Sequence, residues 1–238
     1  MASAGQSTSG SNFKWNFGQG AQPATSSSYK PPLVSWSTPG KKVVTLTVNK
    51  NGNTRVKSVV YEVFPYPVAD FSVDATSSSC AAAPYQVAFS PALAAGNLYQ
   101  WDFGTAATPA TSSSSNPKVT FNADGIYPVQ LTVNNNGCRA VSVKNVQLGG
   151  GTCGVPALSA GISLQPSRAG CASNEYIVQS TSTGNITNAG YAWTFPGNAS
   201  VSKTGPGPKT LVLSSGDVIT LQVTDQSNKT SAVSIKVP

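Results

Sequence analysis

The sequence predicts an all-β protein made of tandem immunoglobulin-like β-sandwiches, of which the first is incomplete. An aromatic segment recurs three times, at residues 13–18, 99–104 and 191–196, with aromatic side chains alternating with polar ones. A two-residue period places the rings on one face of a strand. Short β-branched runs separated by turn-forming residues are also typical of all-β proteins. We therefore expect the repeated tryptophans to be core residues: Trp15, Trp101 and Trp193.

The same series of elements follows each tryptophan. A turn glycine lies 25, 24 and 23 residues after it, at Gly40, Gly125 and Gly216, and an alternating strand comes next. In the first two copies a hairpin follows, with Asn-Gly at 51–52 and 136–137. Asn-Gly is a strong hairpin signal because both residues tolerate positive φ. The repeat is therefore a structural one.

Strands before the tryptophan set the predicted domain boundaries. Two such strands precede Trp101 and two precede Trp193, whereas a short Gly/Ser-rich segment precedes Trp15. With about seven strands each, the second and third repeats fit a two-sheet immunoglobulin-like sandwich. We expect four segments: a disordered or vector-derived N-terminus at 1–12, a partial repeat lacking its first strands at 13–66, and complete sandwiches at 67–149 and 150–238.

The partial repeat poses a problem of its own. A sandwich without two of its strands exposes its inner face and unpaired strand edges, which is unfavourable. Three outcomes stay open for residues 13–66: poor order, docking against the second repeat, or completion by strands from another chain.

The motif Trp101-Asp102-Phe103-Gly104, followed by the 125–133 segment, resembles the polycystic kidney disease (PKD) repeat family. It is most similar to tandem repeats from Bacteroidetes-type secreted and cell-surface proteins. The first repeat departs from the pattern at Asn16 and Lys42, and the third at Thr194 and Pro196. The resemblance implies a non-catalytic spacer, adhesive or accessory binding module, either secreted or at the bacterial cell surface.

The net charge of +7 is concentrated in the first repeat, where residues 1–66 hold seven Lys/Arg and a single acid, Glu62. Such a balance favours acidic polysaccharides, membrane surfaces or nucleic acid. Lysines scattered over strands more often solubilise the chain and protect sheet edges. We expect no nucleic-acid partner, and no membrane insertion because apolar runs are only a few residues long. The chain shows no signal peptide, and we interpret it as a piece of a longer protein.

The four cysteines favour disulfides over zinc, since no Cys-x-x-Cys spacing and no histidine occur. Cys80 and Cys138 are expected at opposite ends of one sandwich, beyond disulfide reach. Cys153 enters the third repeat where Cys80 enters the second, so we expect a Cys80–Cys153 clasp. Cys138 and Cys171 would then be unpaired.

Catalysis is disfavoured by the residues available. Without histidine, Ser-His-Asp, Cys-His and histidine-ligated metal mechanisms are excluded. The eight acids are spread over three repeats, so a carboxylate or Ser-Lys hydrolase is a remote alternative. No cofactor is expected. Asp102 has two readings: it steadies its turn by accepting backbone hydrogen bonds, or it binds calcium with loop carbonyls. The absence of this carboxylate at Asn16 and Thr194 favours the first.

The predicted function is a stalk or spacer with an adhesive surface that binds cell-surface proteins or polysaccharide, alongside neighbouring repeats of the parent chain. The alternative is a polysaccharide-binding accessory module of a secreted degradative enzyme. Glycan binding calls for exposed flat aromatics, and cations would suit an acidic glycan. The candidate surface is Tyr29, Lys30, Trp36, Lys41 and Lys42.

Overall fold

A computed structural model describes residues 10–74, 82–92, 98–150, 152–167, 174–197 and 203–237, without the side chains of residues 152 and 153. The chain divides into two compact units. Unit 1 here means residues 10–65, and unit 2 the described residues from Tyr66 onward. The predicted all-β, immunoglobulin-like class is confirmed, since sheets make up both units.

Unit 1 contains a single large sheet. Its strands are β1 (Ser11–Asn16), β2 (Ala21–Gln22), β3 (Thr25–Ser26), β4 (Ser35–Trp36), β5 (Gly40–Lys50) and β6 (Asn53–Val63). The sheet has the order β3-β1-β5-β6, while β2 and β4 form a separate ribbon. Asn51 and Gly52 both have positive φ, as the Asn-Gly hairpin signal requires. β1 begins at Ser11, before the predicted boundary, because Ser11 pairs with Lys50 at the far end of the long β5 strand.

The second repeat is a complete two-sheet sandwich. Its strands are β7 (Phe71–Asp74), β8 (Tyr85–Pro91), β9 (Leu98–Asp102), β10 (Ala107–Thr108), β11 (Thr111–Ser112), β12 (Lys118–Phe121), β13 (Gly125–Asn135) and β14 (Cys138–Gly149). One sheet has the order β10-β12-β8-β7, and the other runs β11-β9-β13-β14. Side chains alternate between the core and solvent along β8 and β9, which accounts for the two-residue apolar period.

The third repeat continues directly from the second. Its strands are β15 (Thr152–Gly154), β16 (Gly161–Pro166), β17 (Glu175–Ser180), β18 (Tyr191–Thr194), β19 (Lys209–Val212), β20 (Val218–Thr224) and β21 (Thr230–Lys236), with a 3-10 turn at Asn188–Gly190. β18, β20 and β21 form one sheet. The strands β16, β17 and β19 extend the sheet that contains β14.

β14 belongs to both sandwiches. It pairs with β13 on one edge and with β16 on the other, so one continuous sheet crosses the repeat boundary. Ala140 and Val146 face the core of the second repeat, whereas Val141 and Val143 pack in the core of the third. The second and third repeats are therefore joined through a shared strand.

Unit 1 lacks two strands that its sister repeats possess. Its strands β1 to β6 correspond in order and pairing to β9 to β14, and no counterpart of β7 or β8 lies within residues 10–65. The buried core is correspondingly small, comprising Phe17, Ala21 and Val44. As a result every residue of β6 except Val63 is exposed.

Candidate functional site

The repeated aromatic motif forms the same local structure in all three copies. Each indole N–H donates to a loop carbonyl 12 or 13 residues ahead, with distances of 3.0, 2.9 and 2.8 Å from Trp15 to Ser28, Trp101 to Ser114 and Trp193 to Gly205. Each indole also stacks on the phenylalanine two residues later, at interplanar angles of 12°, 8° and 16°. The three tryptophans organise the fold, and Trp101 and Trp193 offer little ring surface to a ligand.

Burial of the three indoles follows the completeness of their repeats. Trp101 and Trp193 are 0% and 3% exposed. Trp15 is only partly buried, because within residues 10–65 the second layer consists of the short β2–β4 ribbon alone. The acceptor loop was missed at the sequence level. Its signal was the duplicated segment Pro-Ala-Thr-Ser-Ser-Ser at 23–28 and 109–114.

Asp102 occupies a turn position. Its Oδ1 accepts a hydrogen bond from the Gly104 N–H at 2.9 Å, and Asn16 accepts the equivalent bond from Gly18 at 2.9 Å. Thr194 needs no such acceptor, since Pro196 stands in place of the glycine and proline has no N–H. Within the described ranges no group of three or more acidic, histidine or cysteine side chains is placed to hold a metal ion. The hydrogen bond from Gly104 thus supports the interpretation that Asp102 stabilises its turn.

Other carboxylates also have structural partners. Asp70 Oδ1 lies 2.6 Å from the Lys144 ammonium. Asp124 accepts a 2.5 Å hydrogen bond from the Tyr85 hydroxyl, and this bond, followed by burial, raises the pKa of Tyr85. Glu175 accepts from Ser167 at 2.6 Å, and Asp225 accepts from two backbone N–H groups of its turn. These contacts stabilise strands and turns.

The residues of the candidate glycan surface do not form one patch. Tyr29 packs on Phe13, with ring centroids 5.3 Å apart, near the Val48 end of β5. The Lys42 ammonium donates a hydrogen bond to the Thr38 hydroxyl near the opposite end of β5. Along this strand Lys42 is about 20 Å from Val48 at ~3.3 Å per residue. Trp36 is partly buried and donates to the Phe17 carbonyl, so its indole belongs to the small core. Lys30 and Lys41 are exposed.

A polar cleft of about 350 Å³ lies within unit 2, where the second and third repeats meet. Its floor is the outer face of β9 and β13, and part of its wall comes from the end of β21 and the turn before β20. The polar lining residues are Gln100, Asp102, Thr111, Gln130, Thr132, Arg139, Ser215 and Lys236. Amide, hydroxyl, carboxylate and cationic groups together can donate to and accept from a hydroxyl-rich ligand.

Lys209 is an unexpected buried cation in the third repeat. It is 7% exposed, its Nζ donates to the Thr204 carbonyl at 2.8 Å, and it lies 5.9 Å from the Trp193 ring centre. Burial lowers the pKa of this lysine. The carbonyl and the aromatic face compensate in part for the loss of hydration.

The cysteine expectations are tested at one position. Cys138 is buried and is not a free thiol, so the expectation that it stays unpaired is wrong. β16, the strand that pairs with β14, ends at Pro166, beside the position that continues the ladder opposite Cys138. Cys80, Cys171 and the Cys153 side chain lie outside the described residues, and the Cys80–Cys153 clasp stays a prediction.

The fold and these sites define a repeat protein of immunoglobulin-like β-sandwiches. Within it, residues 70–148 match the PKD domain family. No curated protein matches the chain. The family match indicates a non-catalytic module typical of extracellular proteins. None of the helical segments in the described part of the chain has the length and apolar character needed to cross a membrane.

Proposed function

We propose that this chain is a non-catalytic stalk and adhesive segment of a larger secreted or surface-anchored bacterial protein of the Bacteroidetes type. The observation that supports the stalk role is β14, whose two faces are buried in two different sandwiches. A shared strand prevents hinge bending at the repeat boundary, because bending would break the β14–β16 ladder and expose Val141 and Val143. Repeats joined in this way hold a constant spacing.

Residual dipolar couplings measured on the full chain test the stalk role. The second and third repeats should fit a single alignment tensor with equal magnitude. Tensors of clearly different magnitude in the two repeats would show independent motion and contradict a rigid spacer.

The adhesive role is tested by pull-down on cellulose, chitin, acidic glycans and cell-surface protein extracts. We expect retention that falls when Tyr29, Trp36 or the lysine pair Lys41 and Lys42 is replaced by alanine. Because these side chains lie in separate places, the variants should not all have the same effect. Retention unchanged in every variant would exclude this surface from adhesion.

The second candidate is a polysaccharide-binding accessory module, and the cleft in unit 2 favours it. Arg139 and Lys236 provide cations at a site rich in amides and hydroxyls, which suits an oligosaccharide carrying carboxylates. Calorimetric titration with uronic-acid oligosaccharides is the test. Arg139→Ala should abolish binding, while Lys229→Ala, which removes an exposed lysine of the β20–β21 hairpin, should leave it unchanged. Equal affinities for the wild type and Arg139→Ala would argue against this site.

A further inference from the structure

The sheet of unit 1 leaves its core-forming face uncovered. Leu46 and Val48 correspond to Leu131 and Val133 of the second repeat by their pairing with the repeated aromatic strand. Leu131 and Val133 are 0% and 1% exposed, whereas Leu46 and Val48 are only partly buried. Apolar surface of this kind is costly in water and marks interaction sites.

The second repeat shows what covers the same face when a sandwich is complete. β8 pairs with β12 over Lys118–Phe121, and its Phe89 side chain lies 4.9 Å from Phe103 between ring centres. Phe71 of β7 reaches Trp101 at 5.2 Å. In unit 1 the counterpart of β12 is β4, which pairs only with β2 among the described strands. One edge of β4 is therefore open to an incoming strand.

The charges around the open face favour an acidic occupant. Arg55 and Lys57 of β6 stand where the second repeat has Ala140 and Ser142, since the two hairpins share one register. Both cations are exposed. In the second repeat Asp70, the residue just before the covering strand β7, pairs at 2.6 Å with Lys144, which lies two positions beyond the counterpart of Lys57 on β14. A covering segment for unit 1 would meet cations in the same region.

A second copy of this chain is a poor occupant for the same face. Residues 10–65 hold seven Lys/Arg against Glu62 alone. Two such faces brought together would bring Arg55 and Lys57 of both copies into one interface, and like charges repel at an interface. The complementary surface is apolar at alternating positions and negatively charged.

We propose that the open face of unit 1 binds a two-stranded β-hairpin of another polypeptide, acidic and apolar in character, which adds a strand to the free edge of β4 and covers Trp15, Leu46 and Val48. The segment would complete the sandwich from outside the chain. This inference does not depend on whether the protein acts as a spacer or as a glycan-binding module.

The test uses the full chain and a synthetic probe peptide with the sequence of residues 69–91, in which Cys80 is replaced by serine. This peptide carries two Asp and no Lys or Arg, together with the apolar positions of β7 and β8. We expect saturable binding by NMR titration, shifts of the Leu46 and Val48 methyl groups, and at least about tenfold slower amide exchange in residues 34–36. A peptide with Val87 and Phe89 both changed to serine should not bind.

Charge variants give the matched control. Arg55→Glu combined with Lys57→Glu should weaken peptide binding at least tenfold, while Lys14→Glu, on the opposite face of the same sheet, should change it less than twofold. A peptide carrying Asp70→Asn and Asp74→Asn tests the same attraction without altering the protein, and it should bind more weakly.

Several results would overturn the proposal. One is that the amide exchange of β4 and the chemical shifts of the Leu46 methyl groups stay unchanged at saturating peptide. Another is that chemical-shift changes are confined to residues 85–148. A third is that Lys14→Glu and the Arg55→Glu/Lys57→Glu double variant lose affinity equally. Sedimentation showing a dimer that buries Leu46 and Val48 would overturn it in favour of a second copy.

Discussion

The Lys144 ammonium lies 2.6 Å from the Asp70 carboxylate and 2.8 Å from the Phe71 carbonyl, and it sits 5.1 Å from the Phe71 ring centre. One lysine of β14 thus holds the start of β7, which lies in the other sheet of the second repeat. The Lys144 side chain is 18% exposed and that of Asp70 is 49% exposed, so solvent screens the pair and its contribution is modest.

Lys144→Met should therefore destabilise unit 2 by about 1 kcal/mol in urea unfolding. Lys118→Met removes an exposed lysine from β12 of the same repeat and should change the free energy of unfolding by less than about 0.5 kcal/mol. The gap between the two variants should shrink at high salt. If both variants unfold alike at low salt, the Lys144–Asp70 contact does not stabilise the sandwich.

Replacing the equivalent tryptophans of the first two repeats, Trp15 and Trp101, by phenylalanine should lower the free energy of unfolding by unequal amounts. Trp101→Phe leaves the Ser114 carbonyl without its donor and opens a cavity in a fully covered core, so we expect a loss of about 3 kcal/mol. Trp15→Phe makes the same chemical change in a half-covered site and should cost about 1 kcal/mol. Circular dichroism during urea unfolding measures both, and equal costs would contradict the exposed face of unit 1.

Substitutions at Asp102 distinguish a structural role in its turn from a role in binding calcium. Asp102→Asn retains an oxygen that accepts from Gly104, as Asn16 already does for Gly18, so stability should change by less than about 0.5 kcal/mol. Asp102→Ala removes the acceptor and should cost about 1 kcal/mol. Thermal unfolding with and without calcium should give the same midpoint in all three proteins. A calcium-dependent midpoint that disappears in Asp102→Asn would support the metal reading.

The sequence could predict those parts of the fold that depend on a short repeating pattern of neighbouring residues. Alternating aromatics locate the strands of Trp101 and Trp193, and Asn136-Gly137 locates a hairpin, because side-chain direction and positive φ depend on neighbours in the chain. The sequence shows no strand pattern before the segment of Trp15, and residues 10–65 hold no counterpart of β7 or β8.

The shared strand and the cleft depend on contacts between distant residues. β14 is apolar at both Ala140 and Val141, a sign of burial on two faces, but the alternation alone does not name the second partner. The cleft brings Arg139 together with Lys236, nearly a hundred positions later in the chain. Lys209 was missed for a similar reason: its carbonyl partner and the Trp193 ring are assembled only by the folded third repeat.

The buried ammonium of Lys209 predicts a pH dependence. Burial holds its pKa below the ordinary 10.5, so between the two values the unfolded chain binds more protons than the folded one. Stability contributed by this site therefore rises as the pH increases toward 10.5. The free energy of unfolding of the wild type, minus that of Lys209→Met, should increase between pH 7 and pH 10. Lys203→Met, which removes an exposed lysine of the same repeat, is the matched control. A pH-independent difference for Lys209→Met would show that its ammonium is hydrated.

The register of β14 and β16 predicts the partner of Cys138. Val141 pairs with Leu164 and Lys144 with Gly161, so continuing the ladder places Cys138 opposite Ser167. Cys171 follows Ser167 by four residues in the chain. Cys153 pairs with Leu148, ten residues along β14 from Cys138 and about 33 Å away at ~3.3 Å per residue, beyond disulfide reach. We expect non-reducing peptide mapping to recover a Cys138–Cys171 fragment, and Cys171→Ser to lower the unfolding midpoint of unit 2 as much as Cys138→Ser does. Recovery of Cys138 linked to Cys80 would contradict both this pairing and the expected Cys80–Cys153 clasp.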